Sequence, residues 1–184
     1  MIRFFKRLLS LLLLLCILAG LGCFFVLPRL FPLGYSEYVE KYAAKYQLDS
    51  SLVYAMIYCE SKFDAEAVSS ANAKGLMQVT EDTGNWVAST LEGMDAAEVD
   101  LFDAETNIRI GCKYLQWLLE KFDGYLETSL AGYNAGHGNV ARWLSDEEKS
   151  KDGITLEEIP YAETEKYVQK VKRIQKIYEW IYRI

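Results

Sequence analysis

The sequence has little of what metal centres and disulfide scaffolds need. It has one histidine, His137, and four cysteines, too few for a disulfide-stapled fold. With one imidazole we expect no zinc site, and no other metal or cofactor is expected. Cys16 and Cys23 lie in an apolar run and act as small hydrophobic residues. Cys59 and Cys112 fall on apolar helix faces, so they can form a disulfide only if those helices pack side by side.

Charge is divided unevenly along the chain. Residues 1–34 contain no acidic residue, whereas residues 35–184 hold all 26 acidic and 16 of the 20 basic residues, a formal charge of −10. An acidic domain binds nucleic acid poorly, because the phosphate backbone is itself negative. Nucleic acid is therefore not an expected partner.

The longest apolar run lies at the N-terminus. Leu8–Leu27 spans twenty residues in which Ser10 is the only hydrogen-bonding side chain apart from two cysteines, and that length can cross a bilayer. Three basic residues within 1–7 should keep that end in the cytoplasm. We predict a single-pass anchor in the cytoplasmic membrane, a linker at 28–34, and a catalytic domain over 35–184 on the extracytoplasmic side.

A cleaved N-terminus is the alternative to this anchor, because a secretory signal peptide begins in the same way. Signal peptides have a shorter apolar core and an exit of small residues. The nearest match is Gly20-Leu21-Gly22 before Cys23. It fits poorly as that exit and as a lipoprotein processing site, which usually has a large aliphatic residue where Gly20 stands. The sequence favours an uncleaved anchor over cleavage or lipidation.

The apolar pattern after Gly34 is helical throughout, with no repeat and hardly a convincing strand. We therefore predict an all-α globule of about 150 residues, preceded by one transmembrane helix and large enough to bury a core. The side chains that can cap the expected helices are those of Ser36, Asp49 or Ser50, Thr80 and Asp103. Two further helices are expected, one over Leu126–Ala135 and one after Pro160.

One of these helices carries an apolar stripe that ends in a carboxyl group. Val53, Met56 and Ile57 recur at helical spacing and Glu60 continues the series, so its side chain should point inward. Apolar neighbours raise the pKa of a carboxyl group, which can then act as an acid at neutral pH. The alternative is a buried glutamate that pairs with a lysine or caps a helix.

Four short segments follow one another in a distinctive order. They are Glu60-Ser61 with Ser69 nine residues after the glutamate, Gly75-Leu76-Met77-Gln78, Ala131-Gly132-Tyr133-Asn134-Ala135-Gly136, and Ile159-Pro160-Tyr161-Ala162-Glu163-Thr164-Glu165-Lys166-Tyr167-Val168. In this order and spacing they resemble the soluble lytic transglycosylase family, whose catalytic domain is similar to goose-type lysozyme. The resemblance covers about Tyr35 to Tyr178. Any one segment alone is weak, but four in order on an all-α background are specific.

The resemblance implies an enzyme that cuts peptidoglycan glycan strands without water. It would cleave the β-1,4 bond between N-acetylmuramic acid and N-acetylglucosamine and leave a 1,6-anhydro-muramoyl end. Glu60 would be the single catalytic group, first protonating the leaving oxygen and then accepting the proton of the C6 hydroxyl. The alternatives are a muramidase that hydrolyses the same bond, and a non-catalytic glycan-binding scaffold of a cell-envelope machine.

Other site residues also follow from the resemblance. The expected substrate-binding residues are Ser69, Met77, Gln78, Tyr133, Asn134 and Tyr167. The expected supporting residues are Ser61, Gly75 and Glu163. Structural roles are the alternative for three of them: Met77 as core, Asn134 as a tie between helix ends, and Glu163 as a favourable charge in the first turn of a helix.

Three positions depart from the family pattern. Asn72 stands where glycine is usual, and asparagine tolerates a left-handed backbone better than most residues. Gly132 replaces a usual alanine, which should loosen its helix slightly. His137 stands where proline is common. None of the three removes a catalytic group.

Overall fold

The computed structural model describes residues 2–95 and 99–184, which divide into two compact units between Gly34 and Tyr35. The first unit contains helix α1 (Ile2–Leu30). Its stretch Phe4–Leu30 reaches a mean hydropathy of 2.8 with no part buried in protein, so it is long and apolar enough to cross a membrane. A signal sequence has the same properties.

Helix α1 is longer than the predicted span. It continues through Pro28 to Leu30, so the first three residues of the expected linker are helical. Proline removes one backbone donor but does not end the helix here.

The second unit is built from α-helices, as predicted. They are α2 (Ser36–Tyr46), α3 (Ser50–Glu60), α4 (Glu81–Trp86), α5 (Ala104–Lys121), α6 (Leu126–Ala135), α7 (His137–Leu144) and α8 (Ala162–Tyr182). A π-helical turn, Val87–Glu92, prolongs α4. Extended pairing in the described residues is limited to isolated bridges of Lys74 with Val68 and with Val79.

Most of the predicted helix caps are confirmed. The side chains of Asp49, Thr80 and Asp103 each accept a hydrogen bond from a backbone N–H in the first turn of α3, α4 and α5. The Ser36 cap was wrong, because Tyr35 takes the cap position with a left-handed backbone and Ser36 is the first helical residue.

Helix α7 was not predicted. It begins directly after Gly136, which has φ 87° and separates it from α6. Val140 and Trp143 lie one turn apart and are buried, so α7 contributes a short apolar stripe to the core. Eight residues give too short a periodic pattern to stand out in the sequence.

The pairing of α3 with α8 positions the site. Tyr54 on α3 stacks on Tyr178 of α8 with ring centroids 5.5 Å apart. Met56 and Ile57 are fully buried in the same core, and burial of such side chains contributes about 1.5–3 kcal/mol each. Helix α8 also packs on α6, which in turn packs on α5 and α7. The C-terminal end of α3, where Glu60 lies, is thereby held against α8.

Candidate active site

Glu60 is the last residue of α3 and keeps a partly accessible side chain. Burial is the dominant influence on its carboxyl group and raises the pKa to about 7. The Tyr167 hydroxyl and the charge of Lys170 both act in the opposite direction and lower the pKa. Among the described residues, no ion pair within 4.0 Å involves Glu60. The inward-facing carboxyl group expected from the sequence is therefore present and is not locked to a lysine.

Two buried tyrosines flank this carboxyl group. The negative charge of Glu60 raises the pKa of both Tyr133 on α6 and Tyr167 on α8, after burial as the larger cause. The Tyr133 hydroxyl donates a hydrogen bond of 3.0 Å to the Met77 carbonyl. The Tyr167 hydroxyl is buried beside Glu60 but makes no hydrogen bond of regular geometry. The Tyr167 hydroxyl is thus a hydrogen-bond donor next to the Glu60 carboxyl group.

Ser61 connects the acid to the loop that contains Gly75. Its hydroxyl donates 2.8 Å to the Leu76 carbonyl and 3.3 Å to the Ile57 carbonyl. The second bond closes the last turn of α3, and the first fixes the loop against that turn. This geometry fits the supporting position expected for Ser61.

Asn107 organises the same loop, and no pattern in the sequence indicates this role. This fully buried side chain on α5 accepts a hydrogen bond of 2.8 Å from the Met77 backbone N–H. Its amide group donates to the carbonyls of Lys74, at 2.9 Å, and Leu101, at 2.8 Å. One side chain therefore bonds to three backbone groups, although the Lys74 carbonyl also accepts a hydrogen bond of 3.0 Å from the Val79 backbone N–H.

Gly75 fits into a space that admits no side chain. Its φ of 71° lies in the left-handed region, and a Cβ atom there would overlap the Leu101 carbonyl and the Asn107 amide. Glycine is the residue that combines this backbone angle with so close an approach.

Met77 lies beneath the cleft and not on its wall. Its side chain is fully buried, and a Cβ atom on Gly111 would approach its sulfur to 2.5 Å. The expected apolar contact of Met77 with sugar is corrected accordingly: it contributes packing, and its carbonyl holds Tyr133. The core alternative is the one that the structure favours.

Gln78 and Asn134 line a pocket of about 260 Å³ together with Tyr133, Tyr114 and Thr83. Gln78 turns its amide donors towards the backbone, at 3.1 Å from the Ala67 carbonyl and 2.9 Å from the Gly75 carbonyl. Its role is thus to shape the loop as well as to face the pocket.

Asn134 is exposed and joins two helices. Its side-chain oxygen accepts a hydrogen bond of 2.8 Å from the Thr164 hydroxyl, which links α6 to the first turn of α8. This is the structural tie that was the alternative for Asn134, and the residue also lines the pocket.

Ser69 and Glu163 are exposed. The Ser69 hydroxyl accepts a hydrogen bond of 3.1 Å from the Ala73 backbone N–H and so closes its own loop. Glu163 lies in the first turn of α8, where its charge suits the helix dipole. Sugar binding by Ser69 and support of the site by Glu163 stay predictions.

An aromatic cluster that was not singled out in the sequence continues from Tyr133. Tyr114 lies 5.3 Å from Tyr133, measured between ring centroids, and 6.2 Å from Trp86. Trp86 and Trp117 meet edge to face at 4.8 Å, and His137 contacts Trp117 at 5.0 Å. Trp86, Trp117 and His137 are each partly accessible. The cluster therefore extends from Tyr133, which flanks Glu60, to aromatic rings that solvent can reach.

The departures from the family pattern have physical reasons. Asn72 has φ 60°, which confirms the left-handed backbone expected there. A Cβ atom at Gly132 would lie 2.9 Å from the Phe122 ring, so glycine lets Phe122 pack against α6. His137 supplies the ring contact with Trp117, which a proline would not make.

The thiols of Cys59 and Cys112 are free, so the possible disulfide between them is not formed. Burial raises the pKa of both thiols, to about 11 for Cys59. In the part of the chain that the structure describes, no group of three histidine, cysteine, aspartate or glutamate residues is placed to hold a metal.

These features define an all-α, lysozyme-like domain with one half-buried carboxyl group beside a polar and aromatic cleft. The chain belongs to the Transglycosylase SLT domain family, whose pattern matches residues 37–155.

Named relatives and solved structures are consistent with this membership. The soluble lytic murein transglycosylase of Escherichia coli is 32% identical over 157 residues, which cover 84% of this chain and 24% of the relative. The membrane-bound lytic murein transglycosylase C of Yersinia pestis is 32% identical over 165 residues, covering 78% of this chain and 46% of the relative. This chain thus spans about a quarter to a half of their length.

The crystal structure of lytic transglycosylase Slt from Pseudomonas aeruginosa, in an inactive mutant with glutamine in place of a glutamate, superposes with a TM-score of 0.72. The two chains are 30% identical, and the match covers 84% of this chain and 25% of the other. This shared fold confirms the lysozyme-like architecture predicted from the sequence.

Proposed function

We propose that this chain is a membrane-anchored peptidoglycan lytic transglycosylase with Glu60 as its catalytic acid and base. The observation that carries the proposal is the state of the Glu60 carboxyl group. Its pKa, raised by burial to about 7, leaves a substantial fraction protonated near neutral pH, and it can therefore both donate and accept a proton.

The first step would be protonation of the glycosidic oxygen between N-acetylmuramic acid and N-acetylglucosamine. As the bond to C1 breaks, the proton moves from Glu60 to the leaving oxygen, and the substrate acetamide oxygen closes onto C1. A second enzyme carboxylate, the usual partner in glycosidases, is then not required. The Tyr167 hydroxyl next to Glu60 is placed to stabilise the carboxylate that results.

The second step would use the carboxylate as a base. Glu60 takes the proton of the C6 hydroxyl as that oxygen attacks C1 and displaces the acetamide oxygen. The product is a 1,6-anhydro-muramoyl end, and Glu60 returns to its protonated form. A pKa near the working pH suits a group that must serve in both directions.

The glycan strand would lie along the pocket beside Tyr133 and the aromatic cluster. Gln78 would offer its amide oxygen, and Asn134 its amide group, to sugar hydroxyls and acetamides at this wall. The partly accessible ring of Trp86 contacts Tyr114, which lines the pocket, and His137 follows Gly136 of the same lining. Such rings stack on the apolar faces of sugars and bury large area at low entropy cost.

The anchor would be α1, with the domain that begins at Tyr35 on the extracytoplasmic side. Its 27-residue apolar stretch and the basic residues that precede Leu8 support a single-pass orientation with the N-terminus inside. In that position the domain would reach glycan strands next to the membrane. The membrane-bound transglycosylase of Yersinia pestis shows that family members occur at membranes.

Two other functions remain distinct candidates. A muramidase would bind the same strand and use the same carboxyl group, but water would attack C1. A glycan-binding scaffold would need no catalytic group. The raised pKa of Glu60 and its lack of an ion pair favour an enzyme over a scaffold.

The test is digestion of isolated peptidoglycan by the full chain in detergent, with mass spectrometry of the products. Transglycosylation gives muramoyl ends that are lighter by one water than the reducing ends of a muramidase. Glu60→Gln should lower the rate by about 1000-fold, since it removes the proton donor and base. Glu66→Gln, which changes an exposed glutamate nearby, should leave the rate unaltered. Equal rates for wild type and Glu60→Gln would refute the assignment.

A further inference from the structure

A groove on the surface of α8 is lined by cations. Lys166, Lys170 and Arg173 form its walls together with Glu165 and Gln169, around a cavity of about 430 Å³. The spacing of four and three residues places the three cations on one helix face, over about 10 Å of its length.

These three cations have no carboxylate partner. In residues 2–95 and 99–184, no acidic oxygen lies within 4.0 Å of Lys166, Lys170 or Arg173, although six other ion pairs form. The domain itself carries a formal charge of −10. With Glu165 counted, the groove lining still has two more positive than negative side chains, and a cationic strip of this kind attracts anions locally although the domain as a whole is acidic.

The middle of the groove is tied to the residue before the candidate acid. The Lys170 ammonium group donates a hydrogen bond of 3.3 Å to the carbonyl of Cys59, the residue before Glu60. Lys166 lies on the same face of α8 about one turn before Lys170, and Arg173 lies about one turn after it. A glycan strand with a bond at Glu60 therefore lies near Lys170, whose charge acts on the Glu60 carboxyl group.

We infer that this groove is a subsite for the carboxylate groups of the peptide stems that muramoyl residues carry. The inference rests on the proposed function, which supplies a substrate whose sugars are neutral and whose stems are anionic. A face about 10 Å long matches about three extended peptide residues. Contact of Lys170 with the residue next to Glu60 favours a wall substrate over anionic membrane lipid as the ligand.

The experiment measures equilibrium binding, so that it does not depend on cleavage. The full chain in detergent carries Glu60→Gln, and binding is compared for glycan strands with peptide stems and for strands stripped of stems by an amidase, whose newly exposed lactyl carboxylates are capped as amides so that these strands are uncharged. The variant is Lys166→Gln/Arg173→Gln, which leaves Lys170 in place. The matched control, Lys151→Gln/Arg183→Gln, removes one lysine and one arginine from exposed positions outside the groove.

The groove variant should bind stem-bearing strands about fivefold more weakly at low salt, given modest gains per exposed charge. It should bind stripped strands as the parent does. The difference should vanish near 1 M salt, where the screening length falls to about 3 Å. The control pair should bind both strands as the parent does.

Two results would overturn the subsite: no change with stem-bearing strands, or an equal loss with stripped strands. Failure of the proposed function is seen separately, as an absence of anhydro ends from the chain with Glu60 intact. Weaker binding of stems by the groove variant then supports the subsite whether or not that chemistry occurs.

Discussion

The hydroxyl of Ser61 donates a hydrogen bond of 2.8 Å to the carbonyl of Leu76 and thereby joins the end of α3 to the loop beneath the cleft. The residue after the candidate acid is thus tied to the segment whose next carbonyl, that of Met77, holds Tyr133. The positions of Glu60 and Tyr133 depend on one short chain of contacts.

Ser61→Ala breaks this connection. We expect a loss of about 1 kcal/mol in the free energy of unfolding, the usual net value of one hydrogen bond. The rate of wall digestion should fall by about tenfold, because Glu60 and Tyr133 lose their common support. Ser89→Ala, which removes an exposed serine hydroxyl bonded within its own helical segment, is the control for both measurements. Unchanged digestion by Ser61→Ala would contradict the positioning role.

Gly75→Ala and Gly93→Ala separate backbone strain from steric overlap. Both glycines have positive φ, 71° and 62°, but a Cβ atom meets nothing within 4 Å at Gly93 and overlaps Leu101 and Asn107 at Gly75. Gly93→Ala should cost about 1 kcal/mol of stability. Gly75→Ala should cost about 4 kcal/mol or more, because the loop must move. Thermal unfolding of both variants measures the difference, and equal costs would contradict the tight fit at Gly75.

The free energy of unfolding should fall as pH rises between the pKa of an ordinary glutamate, 4.5, and the pKa of Glu60 in the folded chain, about 7. Its pKa is about 7 in the folded chain against 4.5 for an ordinary glutamate, so between these values the folded state holds a proton that the unfolded state has released. The penalty is absent below about pH 4.5 and complete above about pH 7, where it reaches about 3 kcal/mol.

Glu60→Gln removes this penalty. The variant should unfold at a higher temperature than wild type at pH 8, while the two should differ little at pH 4.5. Glu66→Gln serves as the control, because Glu66 is exposed. Parallel pH profiles for wild type and Glu60→Gln would show that the carboxyl group is not desolvated.

Tyr167→Phe should shift the pH dependence of catalysis. The Tyr167 hydroxyl lowers the pKa of Glu60, so its removal raises that pKa further. The loss of activity on the alkaline side should then move to higher pH. A purely structural role for Tyr167 would change the rate without moving this limb of the profile. Tyr125→Phe, at an exposed tyrosine, is the matched control.

The sequence predicted what is encoded locally. The caps Asp49, Thr80 and Asp103 each satisfy a donor two or three residues away, and periodicity placed Glu60 at the end of an apolar stripe. Such short-range signals survive without knowledge of the fold, because partner and helix lie in the same segment.

The features that sequence reasoning missed depend on distant partners. Asn107 bonds to Met77 and Lys74, thirty and thirty-three residues earlier in the chain, and Lys170 bonds to Cys59 at a separation of 111 residues. Met77 was expected on the cleft wall because the motif gives order along the chain but not burial. Only the packing of α5 against the loop shows that its side chain faces Gly111.

The contacts of α8 with α3 have a consequence for the nascent chain. Glu60 is made early, whereas Tyr167 and Lys170, which lower its pKa against the effect of burial, come from the last helix described. A ribosome that has delivered α3 but not α8 has produced a carboxyl group that lacks both the packing of α8 and the companion hydroxyl of Tyr167. The candidate site is therefore completed late in translation, when α8 packs against α3 and closes the hydrophobic core.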